Sequence, residues 1–243
     1  MTTDELREQL RFYRDLGIDE VYVRQPVGQA ISSPVSEGAS VASVALPSLA
    51  PEGDTLLKIQ QDIGDDCRRC RLCEARSKIV FGSGNEQARL VFVGEGPGAD
   101  EDAQGYPFVG RAGQLLTQMI DNTAAKEGLA IRRPDVYICN VVKCRPPENR
   151  APQPDEMEIC GAFLFRQLMA IQPKAICALG STAAKAILGT KEGVTRLRGR
   201  WHKWHDIPVI VTFHPSYLLR PYNQDAKKEA WEDLKKVLHF VYD

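Results

Sequence analysis

The apolar run Ala88-Arg89-Leu90-Val91-Phe92-Val93 passes directly into Gly94-Glu95-Gly96-Pro97-Gly98, and a helical pattern opens near residue 112. A continuous apolar run closed by glycine reads as a strand buried on both faces. Glycines at its carboxyl end, just ahead of a helix, lie where open α/β sheets bind their ligands. They let backbone approach a ligand closely, and Pro97 and Pro107 stiffen the loop around them. The spacing is not G-x-G-x-x-G and no Lys-Ser/Thr pair follows, so a nucleotide cofactor is not the favoured ligand. Glu95, Glu101 and Phe108 stand in this loop as candidate pocket residues.

The alternation then continues. Strand runs at Val136–Val142, Ala175–Leu179 and Pro208–Phe213 are interleaved with helical patterns near 112–126, 155–171 and 181–188. Arg198–Trp204 pairs with the last strand run, and an amphipathic helix covers about 225–240. This order predicts a three-layer α/β/α domain over 55–243, with a central, mainly parallel four-stranded sheet. Upstream, residues 3–16 have an N-cap candidate, early acids and helical apolar spacing, so 1–24 reads as a short helical appendage. Residues 25–54 are rich in Pro, Ser, Gly, Ala and Val and read as a flexible linker.

The 243 residues, 43% hydrophobic, suffice for one full core. No apolar run reaches membrane-spanning length and the amino terminus lacks a signal-peptide pattern, which leads us to expect a cytoplasmic protein. The net charge of -1 conceals an asymmetry: residues 1–66 carry 5 Lys/Arg against 12 Asp/Glu, and residues 67–243 carry 26 against 20. The larger part is basic, which permits a polyanionic partner.

Seven cysteines without an export signal argue for metal binding or buried thiols rather than disulfides. Cys67-x-x-Cys70 is a metal-binding pair, with arginines between that would help hold thiolates ionised. Cys73 extends the run, but the fourth Cys-Pro of the bacterial ferredoxin pattern is missing. Cys139 and Cys177 sit inside apolar strands and read as core residues. Cys144, just past a strand end, and Cys160, on the next helix, can meet the distant pair. Four such thiolates suit a [4Fe-4S] cluster or a structural zinc equally well on spacing alone.

Three motifs, GEGPGADED running on to GYPFVGRAGQLL (94–116), CNVVKCRPPENRAPQPDE (139–156) leading to Cys160, and FHPSYLLR (213–220), resemble the family 4 uracil-DNA glycosylases. The likeness covers about 56–243. It implies an α/β/α enzyme that excises uracil from DNA in base excision repair, as a monomer, with a structural [4Fe-4S] cluster on Cys67, Cys70, Cys144 and Cys160. Any protein partner would belong to the N-terminal helix, which the likeness does not reach.

Uracil must leave the base stack before its glycosidic bond is accessible, so the chemistry needs a pocket that stacks one base and reads its edge. Phe108 matches the family's stacking ring. Asn140, a polar residue at the end of an apolar strand, can pair with uracil O4 and N3–H but mismatches cytosine's amino group. His214, at another strand end, is the candidate donor to uracil O2 as negative charge develops there. Glu101 is the family's catalytic acid, Glu95 belongs near the base, and Gly96 stands where family 1 relatives carry an aspartate. Ala99 departs from an acid common in the family. Ser216, Leu218, Leu219 and Arg220 resemble the loop that fills the gap left by the flipped base, and Asn149 and Arg150 are candidate DNA-backbone contacts. A related branch traps uracil-DNA covalently through a histidine in a basic insertion after the glycine loop, and that insertion is absent between Phe108 and Leu115. A cluster or zinc protein serving electron transfer or DNA scaffolding is the rival from another class; it would ignore His214→Ala.

Overall fold

The computed structural model describes Pro51 and residues 53–243. The chain divides into two units, Met1–Val44 and Ala45–Asp243, and the described residues belong to the second. The expected N-terminal helix, and the linker except for its last residues, lie outside the described residues.

Six strands form one sheet: β1 (Ser83–Gly84), β2 (Leu90–Gly94), β3 (Tyr137–Asn140), β4 (Ala175–Leu179), β5 (Trp201–Trp204) and β6 (Ile207–Thr212). Their spatial order is β1-β3-β2-β4-β6-β5. The four expected parallel strands are its centre, β3-β2-β4-β6, but the sheet has six strands rather than four, because β1 and β5 close its two edges antiparallel. At two residues, β1 is too short to show any periodicity.

Eight helices accompany the sheet among the described residues: α1 (Leu56–Ile63), α2 (Ala99–Gln104), α3 (Arg111–Lys126), α4 (Pro154–Ile171), α5 (Gly180–Leu188), α6 (Val194–Leu197), α7 (Pro215–Leu218) and α8 (Gln224–Tyr242). The strand pleat sends alternate side chains to opposite faces. Val91, Val93, Tyr137, Cys139, Ile176 and Ala178 pack with α1, α4 and α5 on one side. Leu90, Phe92, Ile138, Cys177 and Ile210 pack with α3 and α8 on the other. This double coverage explains why the central strands read as unbroken apolar runs and not as alternating ones.

Local signals set the helix boundaries. The Thr55 side chain accepts the Lys58 N–H and starts α1, whose Leu56, Ile59 and Ile63 form the buried stripe. Pro154 opens α4, where Glu156 reaches back to the Gln153 N–H. From β2 the chain crosses by α3 to β3 on one side, then returns by α4 to β4 on the other. The carboxyl end of β2 is therefore a topological switch point, and the glycine loop leaves the sheet there. No described helix is long and apolar enough to cross a membrane.

Candidate active site

The ends of four parallel strands deliver the side chains of one cavity of about 670 Å³. Asn140 ends β3, Glu95 follows β2, Gly180 and Ser181 follow β4, and His214 follows β6, so all reach it by strand geometry. The cavity thus unites Glu95, Gly96, Glu101, Phe108, Asn140 and His214, the residues singled out from sequence.

Gly94 lets two of them converge. A Cβ there would stand 2.4 Å from Asn140 Oδ1 and 2.6 Å from Phe108 Cζ. Asn140 is 1% exposed, yet its Oδ1 has no hydrogen-bond partner in the protein. A buried amide oxygen without a partner costs free energy unless a ligand supplies the donor.

Phe108 is held unusually. Its φ is +54°, left-handed backbone that a bulky side chain rarely adopts, and such strain persists only where surrounding structure enforces it. Glu101 is part of that structure. Its Oε1 accepts the Val109 and Gly110 N–H groups at 2.9 Å each, and its Oε2 accepts the Gly98 N–H at 3.1 Å. Arg133 donates to the Pro107 carbonyl at 3.0 Å from the other side. At Gly113 a Cβ would lie 1.9 Å from the Phe108 oxygen, so glycine alone lets α3 start against this turn.

The Phe108 and His214 rings lie 5.6 Å apart, tilted by 37°. His214 Nδ1 accepts the Ser216 N–H at 3.2 Å and lies 2.7 Å from Ser216 Oγ. A backbone donor on Nδ1 assigns the ring proton of the neutral form to Nε2. The ring keeps an open side toward the cavity, but the protein packed around it disfavours an imidazolium, and this burial lowers its pKa to about 4 against a weak opposing pull from Glu101. His214 is therefore a neutral donor near pH 7. Thr182 Oγ1 donates to Glu95 Oε2 at the cavity wall.

The DNA-facing candidates separate. Ser216 and Tyr217 line the cavity mouth, and Leu219 and Arg220 lie at or near the surface. Leu218 requires correction: it is 1% exposed, turned into the core by α7, so it is not available to enter DNA. Tyr217, 40% exposed, takes its place among the large side chains of this loop. Asn149 lines the cavity and accepts from Arg145 Nε at 2.9 Å. Arg150 lines it too, but its guanidinium is bound bidentately to buried Glu156 at 2.6 and 2.8 Å, which ties the proline-rich loop to α4.

Away from the cavity, Cys67, Cys70, Cys144 and Cys160 gather between the α1 side of the core and the start of α4. Burial raises the Cys144 thiol to about 12 and the Cys160 thiol to about 11, with neighbouring thiols adding to the effect; Cys70 is raised for the same reasons. The arginines between the first pair do not serve these thiols: Arg68 pairs with Asp66 and Arg69 with Asp62. Arg76 takes that part, donating to the Cys67 carbonyl at 2.7 Å and contacting Cys144 Sγ at 3.8 Å, while the Lys143 N–H reaches Cys160 Sγ at 3.2 Å. Cys139 and Cys177 are core residues, as expected. Among the described residues no three His, Cys, Asp or Glu side chains form a group that could hold a single metal ion.

Three participants escaped the sequence reading. Lys143 is fully buried, and the sole signal was a charged residue closing the run Val141-Val142. Arg76 and Thr182 carry no pattern that distinguishes them from surface residues.

Comparison with known proteins agrees with the motifs. Residues 81–235 match the model of the uracil DNA glycosylase superfamily. The chain is 46% identical over 190 residues to a type-4 uracil-DNA glycosylase of Thermotoga maritima, covering 77% of this chain and 96% of that protein. It is 44% identical over 181 residues to one of Archaeoglobus fulgidus, covering 70% and 86%. A type-5 uracil-DNA glycosylase of Pyrobaculum aerophilum is more distant, at 30% over 166 residues, 64% and 71%. The chain belongs to the uracil DNA glycosylase superfamily, and within it to the type-4 uracil-DNA glycosylases.

Proposed function

We propose that this protein is a monofunctional DNA glycosylase that hydrolyses the bond between uracil and deoxyribose, leaving an abasic site, and that it works in the cytoplasm as a monomer. The observation that carries the reading is the buried, unpartnered Asn140 Oδ1 beside Phe108 and a neutral His214 in one cavity. That oxygen is the acceptor a flipped uracil N3–H requires, and the amide NH₂ suits uracil O4. Phe108 stacks on the base.

The C1′–N1 bond breaks with its electron pair leaving on the uracil ring. His214 Nε2–H donates to O2 as that charge develops, a contribution of about 3 to 4 kcal/mol for one well-aimed donor. Water adds to C1′ and its proton passes to the departing uracil or to solvent. Three backbone N–H groups already occupy the Glu101 carboxylate. Its part is negative charge near an oxocarbenium-like sugar, and the hold on Phe108, rather than proton transfer.

The same proposal assigns Cys67, Cys70, Cys144 and Cys160 to a [4Fe-4S] cluster. Two buried thiols, Cys144 and Cys160, beside two half-buried ones, Cys67 and Cys70, with Arg76 and an amide N–H directed at the two buried sulfurs, suit an anionic thiolate-bound cluster. Such a cluster takes one cysteine per iron, so it does not need three ligands around one ion. When bound it supplies a cross-link between the segment after α1, the proline-rich loop and α4.

The test incubates purified protein with end-labelled single-stranded and duplex oligonucleotides carrying one uracil, followed by alkali and by a denaturing protein gel. Alkali-dependent cleavage with multiple turnovers and no shifted protein band is the expected result. A stable shifted band without turnover would mean covalent capture instead, and neither signal from a cluster-loaded sample would favour scaffolding.

A further inference from the structure

Beside the active-site cavity lies a second cleft of about 540 Å³, lined by Glu192, Thr195, Arg196, Arg198 and Arg200. Thr195 lines both, so the cleft opens from the cavity's own rim. The Gly199 N–H donates to the Val211 carbonyl at 3.3 Å, which sets the start of β5 beside the end of β6, three residues before His214. The cleft therefore lies on the face where the parallel strands end.

Its arginines are not equivalent. Arg198 is committed to the fold: its guanidinium binds both Asp233 oxygens at 2.8 and 3.1 Å and the Glu229 carbonyl at 2.8 Å. Arg196 and Arg200 are exposed, and among the described residues neither has a carboxylate at ion-pair distance. Glu192 is the single acid on the cleft. Two unpaired guanidiniums on the rim of a cavity, one held at the head of an edge strand, form a binding surface for phosphodiester groups.

We propose that Arg196 and Arg200 bind the DNA backbone flanking the flipped nucleotide, extending the interface across α6 to the β5 edge of the sheet. This rests on the glycosylase reading. Because the contacts are to phosphate, they add affinity for any sequence without touching the base.

The test compares full-length wild type, the Arg196→Ala/Arg200→Ala double variant and Glu192→Gln, measuring binding to a fluorescent duplex carrying one uracil over a series of KCl concentrations. Each phosphate contact contributes about 0.9 to the slope of log affinity against log salt, so the double variant is expected to bind more weakly with a slope shallower by about 1.8. Glu192→Gln is expected to bind more tightly at low salt, a direction that general damage to the fold does not produce. An unchanged slope in the double variant, or no gain in Glu192→Gln, overturns the proposal. If wild type binds but releases no uracil from the same duplex, the glycosylase reading fails instead, and the slopes still decide the phosphate contacts.

Discussion

Lys143 Nζ donates to the main-chain oxygen of Asn140 at 2.7 Å, from a position immediately before Cys144. The same amino group donates to Gln167 Oε1 at 2.6 Å, and Gln167 Nε2 donates to the Phe81 carbonyl at 3.0 Å. Lys143 also accepts the Val80 N–H at 2.8 Å through its own carbonyl. Antiparallel pairing of β1 with β3 is recorded only at Tyr137 and Ile138, so the lysine serves the Asn140 carbonyl beyond that edge. One buried side chain thereby links the candidate base-reading strand to the candidate cluster-binding loop.

Lys143→Met keeps the aliphatic stem but leaves the Asn140 carbonyl and Gln167 Oε1 without their donor. Loss of donors to buried acceptors costs about 1 to 3 kcal/mol each, so we expect a drop of roughly 2 to 6 kcal/mol in unfolding free energy. Urea unfolding with iron content measured in parallel checks this. A change below about 1 kcal/mol would mean that these acceptors find water or other donors.

Glu101→Gln replaces a doubly accepting carboxylate with an amide that has one acceptor and one donor group. The new NH₂ faces backbone N–H groups, and Phe108 loses part of the hold on its left-handed backbone. The single-turnover excision rate is expected to fall by about 10- to 100-fold, equivalent to one or two charged hydrogen bonds. A rate within twofold of wild type would deny Glu101 both roles.

Much of this was legible before the structure. The four central strands and the cavity residues at their ends read clearly, because strands buried on both faces produce continuous apolar runs and the polar residues that interrupt or end them stand out. Asn140 and His214 were visible for that reason. β1 was not, since two residues carry no period, and neither was α2, whose six residues, Ala99 to Gln104, are polar apart from two alanines. Leu218 misled because an apolar residue in a surface loop reads the same whether it points into DNA or inward. The pairing of Arg150 with Glu156, and of Arg68 and Arg69 with acids instead of thiolates, depends on side-chain direction, which spacing does not encode.

Cys160→Ser and Cys144→Ser each remove a thiol from the buried group. If the four cysteines hold a [4Fe-4S] cluster, iron and acid-labile sulfide per protein, together with the broad visible absorbance, should fall sharply in both. Cys177→Ser, in the core on the opposite face of β4, should retain them. Equal iron loading in all three variants would remove the assignment.

Asn140→Asp is nearly isosteric, so the fold should survive, but the amide donor is lost and a carboxylate faces the uracil carbonyl in a closed site. Uracil excision is expected to fall by at least about 100-fold, on the order of 3 kcal/mol, from a lost hydrogen bond and a buried unpaired acceptor. Parallel assays on cytosine-containing oligonucleotides measure whether discrimination relaxes. Wild-type rate and selectivity together would take Asn140 out of base reading.

The pH profile tests His214 most directly. Burial lowers its folded pKa to about 4, below the ordinary histidine value of 6.5. Between these values the unfolded chain binds a proton that the folded chain does not, so this group's contribution to stability is fully present above pH 6.5 and is lost as the pH falls toward about 4. In the active site the neutral ring persists over the same interval, with Nδ1 accepting from Ser216 and the proton on Nε2; protonation would set an Nδ1–H against the Ser216 N–H. Single-turnover excision should therefore hold through pH 6.5 and decline only as the pH nears about 4. Ser216→Pro would delete the backbone donor together with the hydroxyl 2.7 Å from Nδ1, in the first turn of α7, which already holds Pro215, and Ser216→Ala, which removes the hydroxyl alone, isolates the effect of the N–H. Without that donor the imidazolium loses one obstacle, and the acid limb should move upward in pH. A wild-type inflection at the ordinary histidine value, absent from His214→Gln, would show that the ring is charged near neutrality and would overturn the neutral-donor role.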